Sequence, residues 1–326
     1  MSEMKEISVR DIAPLTIGQT ENKEAGTGCT VLLCRDGMRA GIDVRGGGPA
    51  SREIQLLDPL MSAKLIHAVV LAGGSAFGLA AAGGVMKCLE ERGIGFDVGV
   101  TKVPLVAQSG IFDLTVGDPS VRPDEAMGYE AARLALDAPN YRDGCYGAGC
   151  GATVGKYTGM ECCMKTGIGS YAVQIGEVQV GAVVVLNAMG DVFDWRTGRQ
   201  VAGMLTRDGK AFRGTPAYMM DSMSVVENKF VGNTTLCAVV TNALFSKAQL
   251  TKIAGMAHDG YARSISPVHM TVDGDSVYAI SVGRAQADQD VVGTLAALVT
   301  SEAITRAATE AESAYGYPAF QDLSFL

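Results

Sequence analysis

The residues most able to do chemistry stand at the mouth of a strand. A polar Gly232-Asn233 pair stops abruptly, Thr234 and Thr235 follow, and Leu236, Cys237, Ala238, Val239 and Val240 run on like a buried strand. A hydroxyl can become a nucleophile, but a β-branched residue also suits a strand start. Lys156 is a lone cation in the glycine-rich "GAGCGATVGKY". A phosphate loop there would need Gly at 150 and Ser or Thr at 157, and the chain has Cys150 and Tyr157. On spacing alone Lys156 could equally be a surface lysine at a strand end. Asp273 and Asp275 flank one glycine, a common turn pattern that near a cation could also orient it.

Other signals fail. In "GGSAFG", residues 73–78, a dinucleotide fingerprint breaks at Ala76 and a nucleophile elbow at Phe77. A Ser75 triad would need His258 or His269 as base, and nothing in the spacing selects either. His67 lies on an apolar strand and fits a core position, while His258 fits a helix-end cap. Cys145, Cys150, Cys162 and Cys163 match no common zinc spacing, so buried thiols are expected rather than a metal site.

The elements that must position these residues follow from the pattern. Residues 29–34 and 40–47 suggest two strands joined by a polar "RDGM" turn. Residues 66–74 form a buried strand running into glycine, and 75–93 a helix ended by Gly93. A second helix is expected over 123–138 and a strand pair over 169–194. Residues 196–230 turn polar and irregular, as an exposed linker would. Helices over 246–265, with Ser246 as N-cap, and 288–313 enclose a strand at 275–283. No internal repeat is visible. Strands and helices mix without regular alternation, so stacked helix and sheet layers fit best.

The bulk composition narrows the class. The 326 residues suffice for one large domain or two small ones, and 48% hydrophobic against 19% charged residues supports a sizeable core. A formal net charge of −8 and the lack of a long basic run argue against a nucleic-acid partner. The N-terminal stretch has no apolar segment of signal-peptide length, and apolar stretches elsewhere are interrupted, so no membrane span is expected. Eight cysteines without a secretion signal fit reduced core thiols and a cytoplasmic location.

Seven segments in order then point one way: "AGTGCTVLL", "GGGPASRE", "LAGGSAFGLAAAGGVMKCLEERGIGFDVG", "GAGCGATVGK", "VLNAMGDV", "GNTT" and "DGDSVYAIS". Together, over roughly Gly26 to Gly283, the chain resembles the self-cleaving hydrolases that include the L-aminopeptidase/D-esterase (DmpA type), the β-aminopeptidases and the nylon-oligomer hydrolase. The resemblance implies a four-layer αββα sandwich, also found in ornithine acetyltransferases. It implies one catalytic domain over 1–326, cut between Asn233 and Thr234 into fragments 1–233 and 234–326 that stay together. Thr234 matches the nucleophile, Asn187 the oxyanion-stabilising residue, Lys156 the active-site lysine, and Asp273 and Asp275 the acidic pair near the amine. The threonine with Asp-Gly-Asp looks more like the nylon-oligomer branch than the serine-based aminopeptidases. Phe112 stands where that branch has a substrate-lining tyrosine.

The implied chemistry is coherent. A free α-amino group, with a pKa of about 7.7–8.0, can serve as base for the hydroxyl of its own residue. Within an intact chain that nitrogen is an amide, so cutting before Thr234 would create the base. Lys156 would keep the amine neutral, the two aspartates would hold that lysine and the amine in place, and Asn187 would donate to the oxyanion. Thr235 points to the other face and serves packing. The expectation is a cofactor-free amide or peptide hydrolase for small substrates, forming a tetramer of cut units. Its competitors are an acyltransferase of the same fold, an uncut non-catalytic homologue, and a serine hydrolase through Ser75.

Overall fold

The computed structural model describes residues 3–222 and 232–324. The strands that matter are β1 (Met4–Ile7), β2 (Thr16–Asn22), β3 (Thr27–Val44), β4 (Ala50–Arg52), β5 (Ile66–Ala72), β6 (Val106–Gly110), β7 (Ile168–Ile175), β8 (Val178–Val185), β9 (Leu236–Ala243) and β10 (Ser276–Ala285). The four longest helices among the described residues are α1 (Ala81–Glu90), α2 (Glu125–Asp137), α3 (Lys247–Ser264) and α4 (Gln289–Thr309). The strands follow one hydrogen-bonded path, β1-β7-β8-β9-β10-β3-β5-β6-β4, with β2 also on β3.

β3 belongs to two faces. Arg39–Val44 pairs with β10, while Thr27–Leu33 pairs with β2 and β5. The expected turn at "RDGM" is instead an irregularity inside one long strand. Between Leu33 and Met38 the strand advances five residues while its partner advances two, from Ala68 to Ile66. Both flanks are needed by different partners, so the chain continues, and the polar Arg35 and Asp36 bulge into solvent.

Side-chain alternation divides the core into three parts and produces four layers. On β9, Leu236, Ala238 and Val240 enter the core between the two sheet faces, where Val69, Leu71 and Ala107 meet them. Cys237 and Val239 point the other way, to Leu250, Ile253 and Val299 of α3 and α4. On β5, Ala68, Val70 and Ala72 face α1 and α2. Each strand is therefore buried on both sides, which is why its sequence is a continuous apolar run rather than an alternating one. The arrangement is the αββα sandwich that the resemblance implies.

Helix ends follow local rules. Ser246 and Gln249 form a reciprocal capping box at α3, and Asp124 and Asp288 cap α2 and α4. The segment from Ser75 begins as a 3-10 turn, Ser75–Ala80, before α1. α4 is long and apolar enough to cross a membrane by composition alone, but 72% of its apolar window is buried in the fold. The expected linker is partly structured: Gln200–Ala202 is a strand and Thr215–Ser222 a helix. Buried Asp191 ties them down, accepting from Met204 N–H (2.9 Å), Thr215 N–H (2.6 Å) and the Thr215 hydroxyl (2.7 Å). The remainder, 223–230, lies outside the described residues.

Candidate active site

The start of β9 is held beside the loop that leads into β10. These two strands are parallel, with Leu236 opposite Ser276, and the pairing extends upstream to a bridge between Asn233 and Asp273. Gly274 N–H donates to the Asn233 carbonyl oxygen at 2.9 Å, and Ser276 N–H to the Thr235 carbonyl at 3.2 Å. On the other side Thr234 N–H donates to the Asn187 carbonyl at 2.7 Å. The backbone on both sides of the Asn233–Thr234 bond is thus fixed by neighbours distant in sequence.

The Thr234 hydroxyl donates to the Asn233 carbonyl oxygen at 2.5 Å. That places Oγ1 against the carbonyl of the preceding residue. A side chain at 274 would put its Cβ 2.5 Å from this hydroxyl, so only glycine fits between the two aspartates. Thr234 is 4% exposed at a cleft of about 400 Å³, which Phe112, Ser75 and Asn233 also line.

Lys156 is not on the surface. It is buried, and its Nζ donates to Asn187 Oδ1 at 2.8 Å. Asn187 spends the same oxygen on Thr153 N–H (3.2 Å) and donates from Nδ2 to the Phe112 carbonyl (3.1 Å). Phe112 itself packs its ring against Gly232. Burial lowers Lys156 to about 8, against the opposing pull of Cys163, Asp273 and Asp113.

The two aspartates differ. Asp275 Oδ1 accepts from Thr235 N–H at 2.8 Å, and its Oδ2 accepts from His269 N–H (3.1 Å) and lies 2.9 Å from His269 Nδ1. Asp273 Oδ2 accepts from Met270 N–H at 2.7 Å, while its buried Oδ1 has no hydrogen-bond partner among the described residues. Burial, reinforced by the charge of Asp275, raises Asp273 to about 7. An unpartnered buried oxygen is costly to keep, so this one stands ready for a donor.

Two residues of this neighbourhood escape sequence reasoning. Asp113, next to Phe112, accepts from Gly74 N–H and the Thr27 hydroxyl, both at 2.7 Å. Burial raises it to about 6. It clamps a turn in which Gly74 and Ser75 have φ of 78° and 53°. For Ser75 this left-handed conformation costs about 1–3 kcal/mol. The other is His269, whose ring lies between Tyr261 and His258. The only available signals were an acid within the apolar "SGIFDL" and a histidine six residues before Asp275.

The remaining candidates do not take the roles the sequence offered them. His67 Nδ1 accepts from Leu105 N–H at 3.1 Å. His258 is inside α3 rather than capping it, with Nε2 3.1 Å from the Asp43 carbonyl. Among the described residues the Ser75 hydroxyl bonds to no histidine, so no Ser-His pair forms. Thr235 is fully buried, as a packing residue would be. The eight cysteines are unpaired, and all but Cys145 are buried. Among the described residues no group of His, Cys, Asp and Glu is placed to hold a metal.

Comparison with known proteins shows the family. The sequence pattern of peptidase family S58 matches residues 8–319. An uncharacterised aminopeptidase of Mycobacterium leprae (strain TN) is 36% identical, across 96% of this chain and 93% of the relative. The 6-aminohexanoate-oligomer endohydrolase of Agromyces sp. (strain KY5R) is 30% identical, across 91% and 84%. Among solved structures, the L-aminopeptidase D-Ala-esterase/amidase of Ochrobactrum anthropi superposes with a TM-score of 0.66 at 18% identity, covering 95% of this chain and 88% of that one. That structure is a variant of the Ntn hydrolase fold. A Burkholderia sp. β-aminopeptidase gives 0.64 at 19% identity, covering 95% and 89%.

Proposed function

The chain belongs to peptidase family S58 and is a hydrolase, and we propose that it is a self-processing one whose nucleophile is Thr234. The observation that carries this reading is the pair of contacts on one oxygen: Thr234 Oγ1 lies 2.5 Å from the Asn233 carbonyl oxygen, which Gly274 N–H also engages at 2.9 Å.

Self-cleavage proceeds by attack of Oγ1 on the Asn233 carbonyl carbon. The developing oxyanion is met by Gly274 N–H. The C–N bond breaks, the proton from Oγ1 passes to the departing nitrogen, and an ester joins Asn233 to the threonine oxygen. Water hydrolyses that ester, giving fragments 1–233 and 234–326 with a free amine on Thr234. The two fragments remain one folded catalytic unit, because β9 stays hydrogen-bonded between β8 and β10.

The new amine is the base for substrate turnover. A free α-amine titrates at about 7.7–8.0, so it accepts the hydroxyl proton near neutral pH. Lys156, a buried cation neighbour, favours the neutral amine. Asp273 Oδ1 is the waiting acceptor for the amine once it carries a proton. Asp275 fixes Thr235 N–H and with it the backbone of the nucleophile. Asn187, held by Lys156 and the Phe112 carbonyl, offers its amide to the oxyanion. Attack on a small amide or peptide gives an acyl-threonine ester and releases the amine product, and water then frees the acid.

Fragments in a tetrameric, cytoplasmic assembly are part of the same proposal, as the family resemblance suggests; sedimentation of the purified protein tests the assembly. Denaturing electrophoresis tests the cut. Two bands meeting at Thr234 are expected for the parent and one for Thr234→Ala. Continued cutting in the variant would end the proposal.

A further inference from the structure

The two aspartates beside Thr234 are unequally supplied with donors. Asp275 accepts three hydrogen bonds: Thr235 N–H on Oδ1, and both the backbone N–H and the ring Nδ1 of His269 on Oδ2. Asp273 accepts from Met270 N–H and from no other described residue. Hydrogen bonds to a carboxylate favour its charged form, and a like charge nearby disfavours it. The donors therefore decide which member of the pair keeps the charge, and two of the three on Asp275 come from His269.

His269 is held for this task. Its backbone φ of 58° is left-handed, uncommon for a residue with a side chain. With that backbone its N–H (3.1 Å) and its ring (2.9 Å) meet one carboxylate oxygen. A carboxylate oxygen accepts, so Nδ1 carries the hydrogen. Tyr261 stacks on the ring at 5.7 Å, and His258 meets it at 4.7 Å with the planes 78° apart.

No neighbouring charge duplicates the contact. On α3, His258 is lowered to about 4, chiefly by burial, and its Nε2 lies 3.1 Å from the Asp43 carbonyl. Burial pushes Tyr261 up, and its hydroxyl donates to the Thr235 and Ser276 carbonyls. Cys237 on β9 is pushed up to about 12 by burial. Beside β3, Arg45 pairs with Asp43 at 2.9 Å and donates to the Gly255 carbonyl. Lys156 bears on Asp273 through space, with its hydrogen bond spent on Asn187. Among the described residues, His269 is the one side chain that donates to either aspartate.

Resting on the Thr234 reading above, we propose that His269 is a positioning residue of this site: its Nδ1–H draws the charge of the acid pair to Asp275 and leaves Asp273 as the member that exchanges a proton. Asp273 gives that proton to water, and its Oδ1 then accepts from the Thr234 ammonium when the amine has taken the hydroxyl proton. His269 acts through the aspartates and touches no reacting atom.

The test is the pH window in which Asp273 changes stability, read as the difference in thermal midpoint between each protein and its Asp273→Asn counterpart. In the parent this contribution is lost as pH rises through about 7. His269→Phe keeps a ring between Tyr261 and His258 but removes the donor. Its window is expected about one pH unit higher, because the negative pair is less well supported. His269→Leu repeats the loss without a ring. His269→Asn is the rescue: its amide nitrogen stands where Nδ1 stood and tolerates the left-handed backbone, so its window stays with the parent's. Imidazole nitrogen NMR makes a second test on the parent itself, which has only three histidines to assign. It should show His269 protonated at Nδ1 while Asp273 titrates. An unmoved window in both His269→Phe and His269→Leu, an equal shift in His269→Asn, or a His269 ring protonated only at Nε2 overturns the proposal. None of these measurements needs turnover. Failure of the Thr234 reading is seen separately, as an uncut parent or a fully active Thr234→Ala.

Discussion

Two buried lysines nine residues apart show how one residue type serves two purposes. Lys156 and Lys165 are both essentially inaccessible. Lys165 Nζ donates to the carbonyls of Gly149 (3.3 Å), Ala152 (3.2 Å) and Thr166 (2.5 Å). An ammonium has three N–H groups, and here each has a backbone acceptor. Lys156 spends one N–H on Asn187 Oδ1, an oxygen belonging to another site residue. It also lies within the electrostatic reach of Asp113 and Asp273. A saturated cation holds a loop together. A cation with capacity left, near groups whose own protonation is shifted, is arranged for chemistry.

The sharpest way to break this contrast is to remove each ammonium in turn. Lys156→Met is expected to lower kcat by about 10²–10⁴, the range for a group that sets a proton-transfer partner. Its thermal midpoint at neutral pH should stay the same or rise, because a buried charge is replaced by an apolar side chain. Lys165→Met should do the opposite. Three carbonyls lose their donor, at about 1–3 kcal/mol for each left unsatisfied, so the thermal midpoint falls while kcat per cut molecule holds. If both variants lost activity and stability together, the two lysines would not differ in kind. Steady-state kinetics and thermal unfolding of the two proteins decide it.

Asn187→Ala comes next. Removing one oxyanion donor typically costs about 2.7–4 kcal/mol of transition-state stabilisation, so kcat should fall by about 10²–10³. Lys156 would then lose its one hydrogen-bonded oxygen among the described residues as well, so a double variant with Lys156→Met should cost less than the sum of the two. Full additivity in that cycle would separate residues the structure joins.

Asp273 supplies a pH test. Its carboxyl is raised from 3.8 to about 7, so the folded state holds the proton more tightly than the unfolded chain does. The linked stability is fully present below the ordinary carboxyl range and is lost as pH rises through about 7. Asp273→Asn removes this dependence. Its unfolding midpoint should match the parent near pH 4 and exceed it above pH 7, while turnover drops at every pH. A pH-independent difference in midpoint would contradict the assignment. The smallest effect is expected from His269→Asn, about tenfold or less in kcat, because Asp275 keeps the His269 backbone donor and Thr235 N–H.

Much of the frame was legible because it depends on local rules. A capping serine marked the start of α3, and continuous apolar runs marked strands buried on both sides. The four-layer architecture came from the ordered resemblances, and the three-part core agrees with it. The structure places Thr234, Asn187, Lys156, Asp273, Asp275 and Phe112 in one neighbourhood. What failed was non-local. "RDGM" has turn composition, yet two different partner strands keep β3 continuous. Residues 196–230 look like linker, yet buried Asp191, at the start of the short strand Asp191–Phe193, anchors Met204 and Thr215 within them. Nothing local tells Lys156 from Lys165, since the difference lies in which carbonyls and carboxylates the fold carries to each. Asp113 was hidden for the same reason: its partners, Thr27 and Gly74, are far away in sequence.

The central claim is that Thr234, freed at its own nitrogen, carries the acyl group during turnover. Mass spectrometry of the protein quenched while hydrolysing an amide substrate tests it most directly. The account predicts a 234–326 fragment beginning at Thr234, with a subpopulation heavier by one acyl group that maps to that residue. An active chain with only its original N-terminus, or an acyl group on Ser75, would contradict it.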